Sequence, residues 1–144
     1  MKKGFSLIEL LIVISIITLF SLASFSSISN YNRLSNETDM LFSEDMMLAL
    51  INDGKQYCRE KEKPGYVLFD ISRNEINFFS SSKKLDGFRL PKGVTIHSIN
   101  TYQNKVDINK FGITSDAGTI MLKDKAGKPY IMTISVGTGY AEIK

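Results

Sequence analysis

The sequence is poor in the residues that most often carry chemistry. Its 144 residues include one cysteine, Cys58, one histidine, His97, and no tryptophan. A lone cysteine excludes an intrachain disulfide and a cysteine-based metal site. Cys58 is therefore interpreted as a small apolar residue on a helix face, with an intermolecular disulfide as the alternative. His97 has no second histidine nearby and lies in an alternating segment, which indicates a surface or strand-edge residue.

Catalytic motifs and a strong net charge are also lacking. The chain has no phosphate-binding loop, no G-x-G-x-x-G and no Ser/His/Asp grouping around His97, so we predict neither an enzyme nor a cofactor or metal. Once Lys2, Lys3 and Glu9 are set aside, 16 basic and 14 acidic residues remain. That near-neutral balance gives no general electrostatic case for nucleic acid or anionic lipid.

What the chain does have is a long apolar run that contains one charge. Residues 5–25 are uncharged except for Glu9, and as a helix they would span roughly 32 Å, close to a bilayer core of about 30 Å. Lys2 and Lys3 precede the run, so the positive-inside tendency puts the N-terminus in the cytoplasm. A carboxylate inside such a segment is costly and is by default functional. Glu9 therefore predicts a specific partner.

Two ordinary interpretations account for only part of this segment. A secretory signal peptide would be cleaved near Ser21 and Ala23, but the apolar run exceeds the usual length of about 7–15 residues and carries a carboxylate near its start. A plain single-span anchor explains the length and leaves Glu9 unexplained. Both interpretations remain as alternatives.

The third interpretation rests on residues 3–11, Lys-Gly-Phe-Ser-Leu-Ile-Glu-Leu-Leu. This stretch resembles the type III signal of type IV prepilins and type II secretion pseudopilins, in which a short basic leader precedes a small residue, a phenylalanine and a glutamate. The resemblance implies that a membrane peptidase cuts between Gly4 and Phe5 on the cytoplasmic side and that the new N-terminal Phe5 is methylated. Gly4 has no side chain, which lets a protease hold the backbone extended at the cut.

The same resemblance gives Glu9 a partner. In a filament of parallel, staggered helices, the Phe5 ammonium of one subunit approaches the Glu9 carboxylate of the next. Attraction in a low dielectric is large and offsets the desolvation of the charge. Glu9 is thus predicted to be the subunit-assembly residue. Before assembly, the alternative for Glu9 is to snorkel to the cytoplasmic headgroups.

Two further features of the sequence favour one class of subunit within this family. Major pilins of this family usually have a proline where this chain has Ser26, which favours a minor subunit or pseudopilin. Residues 118–123 and 131–139 are similar to the end of GspH/FimT-type minor pseudopilins. The implied protein is a single-pass inner-membrane subunit that then enters an extracytoplasmic filament and helps to initiate or cap its assembly. The implied partners are other pilin or pseudopilin subunits, prepilin peptidase and the inner-membrane assembly platform of a pilus, competence or type II secretion machine.

The alternative function is DNA binding by a minor pilin of a competence pseudopilus. Lys123, Lys125 and Lys128 cluster around one turn and are the candidate DNA contacts. Asp124 interrupts the cluster, and this favours a solvated hairpin turn instead.

The predicted fold class is α+β: a long N-terminal helix packed on a C-terminal antiparallel β-sheet domain, as in pilins. We predict a leader at residues 1–4, a membrane and assembly helix at 5–28, an amphipathic helix at 29–63 and a β-rich head at 64–144. The predicted core stripe of the second helix comprises Leu34, Leu41, Met47, Leu48 and Ile51, with Glu44 among the residues that face away. Period-two patterns predict a meander of seven strands at 66–71, 76–80, 94–99, 105–108, 119–123, 130–136 and 140–143.

Overall fold

The computed structural model describes residues 6–136 and 141–143, and the chain forms two compact units, Met1–Glu37 and Thr38–Lys144. Helix α1 (Leu7–Lys61) supplies the described part of the first unit and the beginning of the second. In the first unit, the side chains of residues 6–21 are exposed. No helix within the described residues is both long and apolar enough to cross a membrane, so the predicted single span is not confirmed.

The second unit adds eight strands to α1 among the residues that the structure describes. They are β1 (Gly65–Asp70), β2 (Glu75–Ser80), β3 (Lys83–Arg89), β4 (Thr95–Ile99), β5 (Lys105–Ile108), β6 (Gly118–Lys123), β7 (Pro129–Ile134) and β8 (Ala141–Ile143). They form two four-stranded antiparallel sheets, in the orders β3-β2-β1-β5 and β4-β6-β7-β8. The predicted fold class is therefore confirmed, with two sheets in place of the simple meander.

Strand β3 is a correction, because the sequence patterns predict no strand between residues 80 and 94. It pairs with β2 at the edge of the first sheet and contains Asp86 and Gly87, a residue pair typical of turns. The strand is mostly exposed, so the apolar alternation that reveals a half-buried strand is missing. Its pairing is also irregular at Phe78 and Phe79, which face Asp86 and Lys84 and leave Leu85 as the extra residue of a β-bulge.

The buried stripe of α1 is a second correction. Leu34 and Leu41 are 63 % and 61 % exposed, and Leu48 is only half-buried, whereas Met47 and Ile51 are buried as predicted. The buried helix positions follow i, i+3 and i+4 spacing and include small and polar residues: Met40, Ser43, Glu44, Met47, Leu50, Ile51, Gly54 and Cys58. The heptad of leucines lies on a neighbouring, more exposed face of the same helix. The buried face includes Gly54, where the Phe78 ring of β2 approaches the helix closely.

The buried side of this helix segment belongs to one core shared with both sheets. Val67, Phe69, Ile76 and Phe78 enter it from the first sheet, and the second sheet contributes residues such as Ile120. Cys58 is fully buried in this core, and burial raises the pKa of its thiol, which favours the packing interpretation. His97 is exposed on β4, an edge strand, and the prediction made for it is confirmed.

Asn74 connects the two sheets near their ends. It occupies the turn between β1 and β2 with a φ of 56°, in the left-handed region that asparagine tolerates well. Its side-chain amide donates to the carbonyl of Val94 at 2.6 Å, and its Oδ1 accepts from the Ile96 backbone N–H at 2.9 Å. One turn residue of the first sheet therefore fixes the start of the second.

The end of α1 is capped by a left-handed residue. Glu62 has a φ of 52°, and the backbone N–H of Lys63 donates to the Cys58 carbonyl at 3.1 Å. This six-to-one bond is that of a Schellman motif, and Pro64 follows it, where a helix cannot continue. The helix ends two residues before the end predicted at Lys63.

Glu44 was predicted to face away from the core but is only 5 % exposed. Burial raises the pKa of its carboxyl group, and the neighbouring Asp45 carboxylate raises it further. The folded chain therefore holds a proton on Glu44 more tightly than the unfolded chain does. This stabilising contribution is fully present below the pKa of glutamate in the unfolded chain, and it is lost as the pH rises through the folded-state pKa.

Replacing Glu44 by glutamine is expected to remove that loss, because the amide carries no charge to desolvate. The melting temperature of Glu44→Gln should exceed that of the unchanged chain at pH 7, and the difference should shrink towards pH 4. Thermal unfolding followed by circular dichroism at both pH values measures this. Asp45→Asn, which removes only the lesser cause, should raise the melting temperature less. Equal melting temperatures of Glu44→Gln and the unchanged chain at pH 7 would contradict the assignment.

Candidate assembly site at the start of the helix

The helix begins with a reciprocal pair of hydrogen bonds between Ser6 and Glu9. The backbone N–H of Ser6 donates to Glu9 Oε2 at 2.8 Å, and the backbone N–H of Glu9 donates to Ser6 Oγ at 3.3 Å. This is a capping box, in which a serine and a glutamate three residues later satisfy two N–H groups that the first helical turn leaves unpaired. Glu9 therefore has a local structural role that the sequence analysis did not assign.

The capping box leaves Glu9 able to take part in a second interaction. The Glu9 side chain is exposed within the chain, and a carboxylate offers about four lone-pair sites on its two oxygens. A cation that approaches from outside can therefore bond to Glu9 while the cap persists. The predicted cleavage and methylation residues, Gly4 and Phe5, lie outside the described residues.

Polar side chains in the apolar segment satisfy their hydrogen bonds within the helix. Ser15 Oγ donates to the Leu11 carbonyl at 2.8 Å, and Ser21 Oγ donates to the Ile17 carbonyl at 2.8 Å. Thr18 bonds similarly to the Ser15 carbonyl at 2.8 Å. Hydroxyl groups bonded in this way need no water, so this helix surface can be covered by apolar groups without stranding a donor.

Apolar side chains cover the same helix surface. Leu7, Leu10, Ile17 and Phe20 are each more than half exposed in the isolated chain. Continuous exposed apolar surface of this kind marks a contact with lipid or another protein. Glu9 therefore lies near the N-terminal end of an exposed apolar helix surface.

The three candidate DNA contacts do lie around one turn, but the side chains of two of them have partners. Lys125 Nζ forms an ion pair with Asp39 Oδ2 of α1 at 2.6 Å. The ammonium of Lys128 lies 4.9 Å from the centroid of the Tyr130 ring, in cation–π contact. Lys123 is half-buried at the end of β6.

Asp124 organises the turn from within. It is 8 % exposed, and its Oδ1 accepts the backbone N–H groups of Ala126 and Lys128 at 2.9 and 2.8 Å. An aspartate that bonds its own backbone two residues on is a common turn-forming device. These contacts favour the hairpin-turn interpretation, and the DNA contact of the lysines stays a prediction.

In the described part of the chain, no group of three or more His, Cys, Asp or Glu side chains is placed to hold a metal ion.

Sequence reasoning found Glu9 but missed its capping partner. The signal was present, because Ser6-x-x-Glu9 before an apolar run is the sequence form of a capping box. The Lys125–Asp39 pair carries no such signal, since 86 positions separate the two residues.

Comparison with known proteins agrees with the resemblance at the N-terminus. The family model of the prokaryotic N-terminal methylation motif matches residues 1–25. The chain carries this motif, which is typical of type IV pilins and pseudopilins, substrates of prepilin peptidase. The motif implies a membrane-anchored precursor, with other pilin subunits and the peptidase as partners. No curated protein and no solved structure matches the chain.

Proposed function

We propose that this protein is a non-enzymatic minor subunit of a type IV pilus-like filament that helps to initiate or cap filament assembly. The observation that carries the proposal is the methylation motif at residues 1–25, with Glu9 placed in the first turn of α1. Removal of residues 1–4 discards Lys2 and Lys3 and creates one α-ammonium on Phe5. That ammonium is the cation for which an exposed carboxylate near the start of an apolar helix is suited.

The minor-subunit assignment is supported by two features of the chain. Ser26 stands where major pilins of the resembled family usually have proline. The pattern of residues 118–139 is similar to the end of GspH/FimT-type subunits, and β6 and β7 supply an antiparallel hairpin over most of it. The alternative of a DNA-binding subunit gains no support from Lys125 and Lys128, because their side chains contact Asp39 and Tyr130.

Processing of the N-terminus tests the proposal directly. The full chain is expressed in bacteria with and without prepilin peptidase, and its N-terminal peptide is identified by mass spectrometry. With the peptidase, we expect a chain that begins at Phe5 and carries one added methyl group on its amine. Without the peptidase, the chain should keep residues 1–4.

A variant separates this from the two ordinary interpretations. Gly4→Val adds a branched side chain at the cut and is expected to leave the chain uncleaved and unmethylated. Cleavage after Ala23 would instead assign a secretory signal peptide. An intact N-terminus in the presence of an active peptidase would assign a plain anchor and contradict the proposal.

A further inference from the structure

A cleft opens between α1 and the edge of the first sheet. It has a volume of about 320 Å³ and is open to solvent. It is lined by Gly54 and Tyr57 of the helix, by Phe78 of β2 and by Leu85 of β3. Two carboxylates, Asp53 and Asp86, also line it. All of these residues belong to the second unit, so the cleft lies within that unit.

Local backbone features create this cleft. Gly54 lets the Phe78 ring pack against the helix, because an added Cβ would lie 3.0 Å from that ring. The Tyr57 ring stands edge-on to Phe78, with centroids 5.8 Å apart and an interplanar angle of 74°. On the β3 side, the bulge at Leu85 allows two consecutive residues of the strand to line the same cleft, which a regular strand would not do.

The charge of the cleft has one sign. Asp53 and Asp86 also line an adjoining hollow of about 50 Å³ beside Phe88. Among the described residues that line the two spaces, none is basic. The Asp86 Oδ1 atom accepts the backbone N–H of Gly87 at 2.7 Å, which orients the carboxylate. The cleft thus combines apolar and aromatic walls with two acidic groups, and it lacks a cation of its own.

The strand beside the cleft favours a polypeptide as the occupant. Within the described residues, β3 pairs with β2 on one side only, so its other edge presents backbone N–H and C=O groups to solvent. An extended segment of another chain can pair with such an edge and place a side chain beside it. A free small cation would make no use of this edge.

We propose that this cleft receives an arginine side chain from an extended segment of another protein chain. A guanidinium stacks on aromatic rings, bonds carboxylates through two parallel N–H groups and is less strongly hydrated than an ammonium. Its aliphatic stem matches the wall formed by Leu85, and a volume of about 320 Å³ holds one long side chain. The inference uses residues of the second unit only, so its test is independent of the proposed filament role.

Titration with matched peptides tests the inference on the full chain in nonionic detergent. The ¹⁵N-labelled protein is titrated with Ac-Ser-Val-Arg-Val-Ser-amide and with the same peptide carrying citrulline, which keeps the shape and removes the charge. We expect the arginine peptide to shift the backbone amide signals of Gly54, Tyr57 and Gly87. The citrulline peptide should bind about tenfold more weakly, and added salt should weaken only the arginine peptide.

Isosteric variants locate the binding to the two carboxylates. Asp53→Asn and Asp86→Asn are each expected to weaken the arginine peptide several-fold, and the asparagine at 86 can still accept the Gly87 N–H. Asp116→Asn, an exposed acid outside the lining, should leave binding unchanged. Absence of signal shifts, or equal binding of the citrulline peptide, overturns the inference. Binding of free ethylguanidinium as tight as that of the peptide also overturns it, because the cleft would then be a small-cation site.

Discussion

A chain carrying Glu9→Ala is expected to be cleaved and methylated normally but to be absent from filaments. Cleavage needs the residues around Gly4 and Phe5, and these are unchanged. In the proposed filament, incorporation requires a carboxylate for the neighbouring Phe5 ammonium. An alanine would leave that ammonium unpaired in an apolar environment, at a cost of several kcal/mol. Filaments sheared from cells, separated from membranes and probed with an antibody against the head measure incorporation. Mass spectrometry of the membrane fraction measures processing.

The capping box supplies controls that distinguish charge from helix capping. Glu9→Gln keeps an acceptor for the Ser6 N–H but loses the charge, and glutamine is an accepted third residue of a capping box. If assembly requires the negative charge of Glu9, the Glu9→Gln chain should be absent from filaments, as the Glu9→Ala chain is expected to be. Ser6→Ala removes the opposite half of the cap at a cost of about 1 kcal/mol and keeps the charge, so it should assemble. Normal filaments from Glu9→Gln would show that Glu9 acts as a cap alone.

Met47→Ala is expected to destabilise the second unit by about 2–5 kcal/mol, whereas Leu41→Ala should change the stability of that unit by less than about 0.5 kcal/mol. Met47 is fully buried in the shared core, so its removal loses apolar contact and leaves a cavity. Leu41, six positions earlier on the same helix, is 61 % exposed and has little to lose. Both replacements favour the helix intrinsically, so helix propensity does not explain a difference.

Urea unfolding of the full chain in detergent checks the pair. The chain has six tyrosines and no tryptophan, so far-UV circular dichroism and tyrosine fluorescence are suitable signals. The midpoint should fall sharply for Met47→Ala and stay near that of the unchanged chain for Leu41→Ala. A comparable fall of the urea midpoint in the two variants would instead indicate that Leu41 belongs to the core, as the sequence predicted.

The strands show how far sequence patterns reach in this fold. In a strand with one buried and one solvent-exposed face, more and less buried residues alternate along the sequence. Strands β1 and β6 keep this alternation at every position, and their predicted ends lie within one residue of the observed ends. Strand β3 is an exposed edge with a bulge, so neither face imposes the pattern and its Asp86-Gly87 pair imitates a turn. Alternation predicts the strands but not how they divide between two sheets.

The helix and the candidate site show a different limit. Glu44 is buried and Leu41 is exposed, which is the opposite of what their hydropathy predicts. The covered face of the helix is known only from the tertiary structure, in which Met47, Ile51 and Gly54 are buried. Glu9 was recognisable because its chemistry is local to nine residues of sequence. The acidic cleft was not, since Asp53 and Asp86 come together only through the packing of the helix against a bulged edge strand.

The ion pair between Asp39 and Lys125 has a mechanical consequence. The second unit begins at Thr38, so Asp39 lies in the first turn of the helix segment that belongs to this unit, and its partner Lys125 lies in the hairpin turn after β6. At rest the pair is half-exposed and adds about 0.2–1 kcal/mol. We expect the pair to oppose separation of this helical turn from the second sheet under tension, because it joins α1 to the turn between β6 and β7.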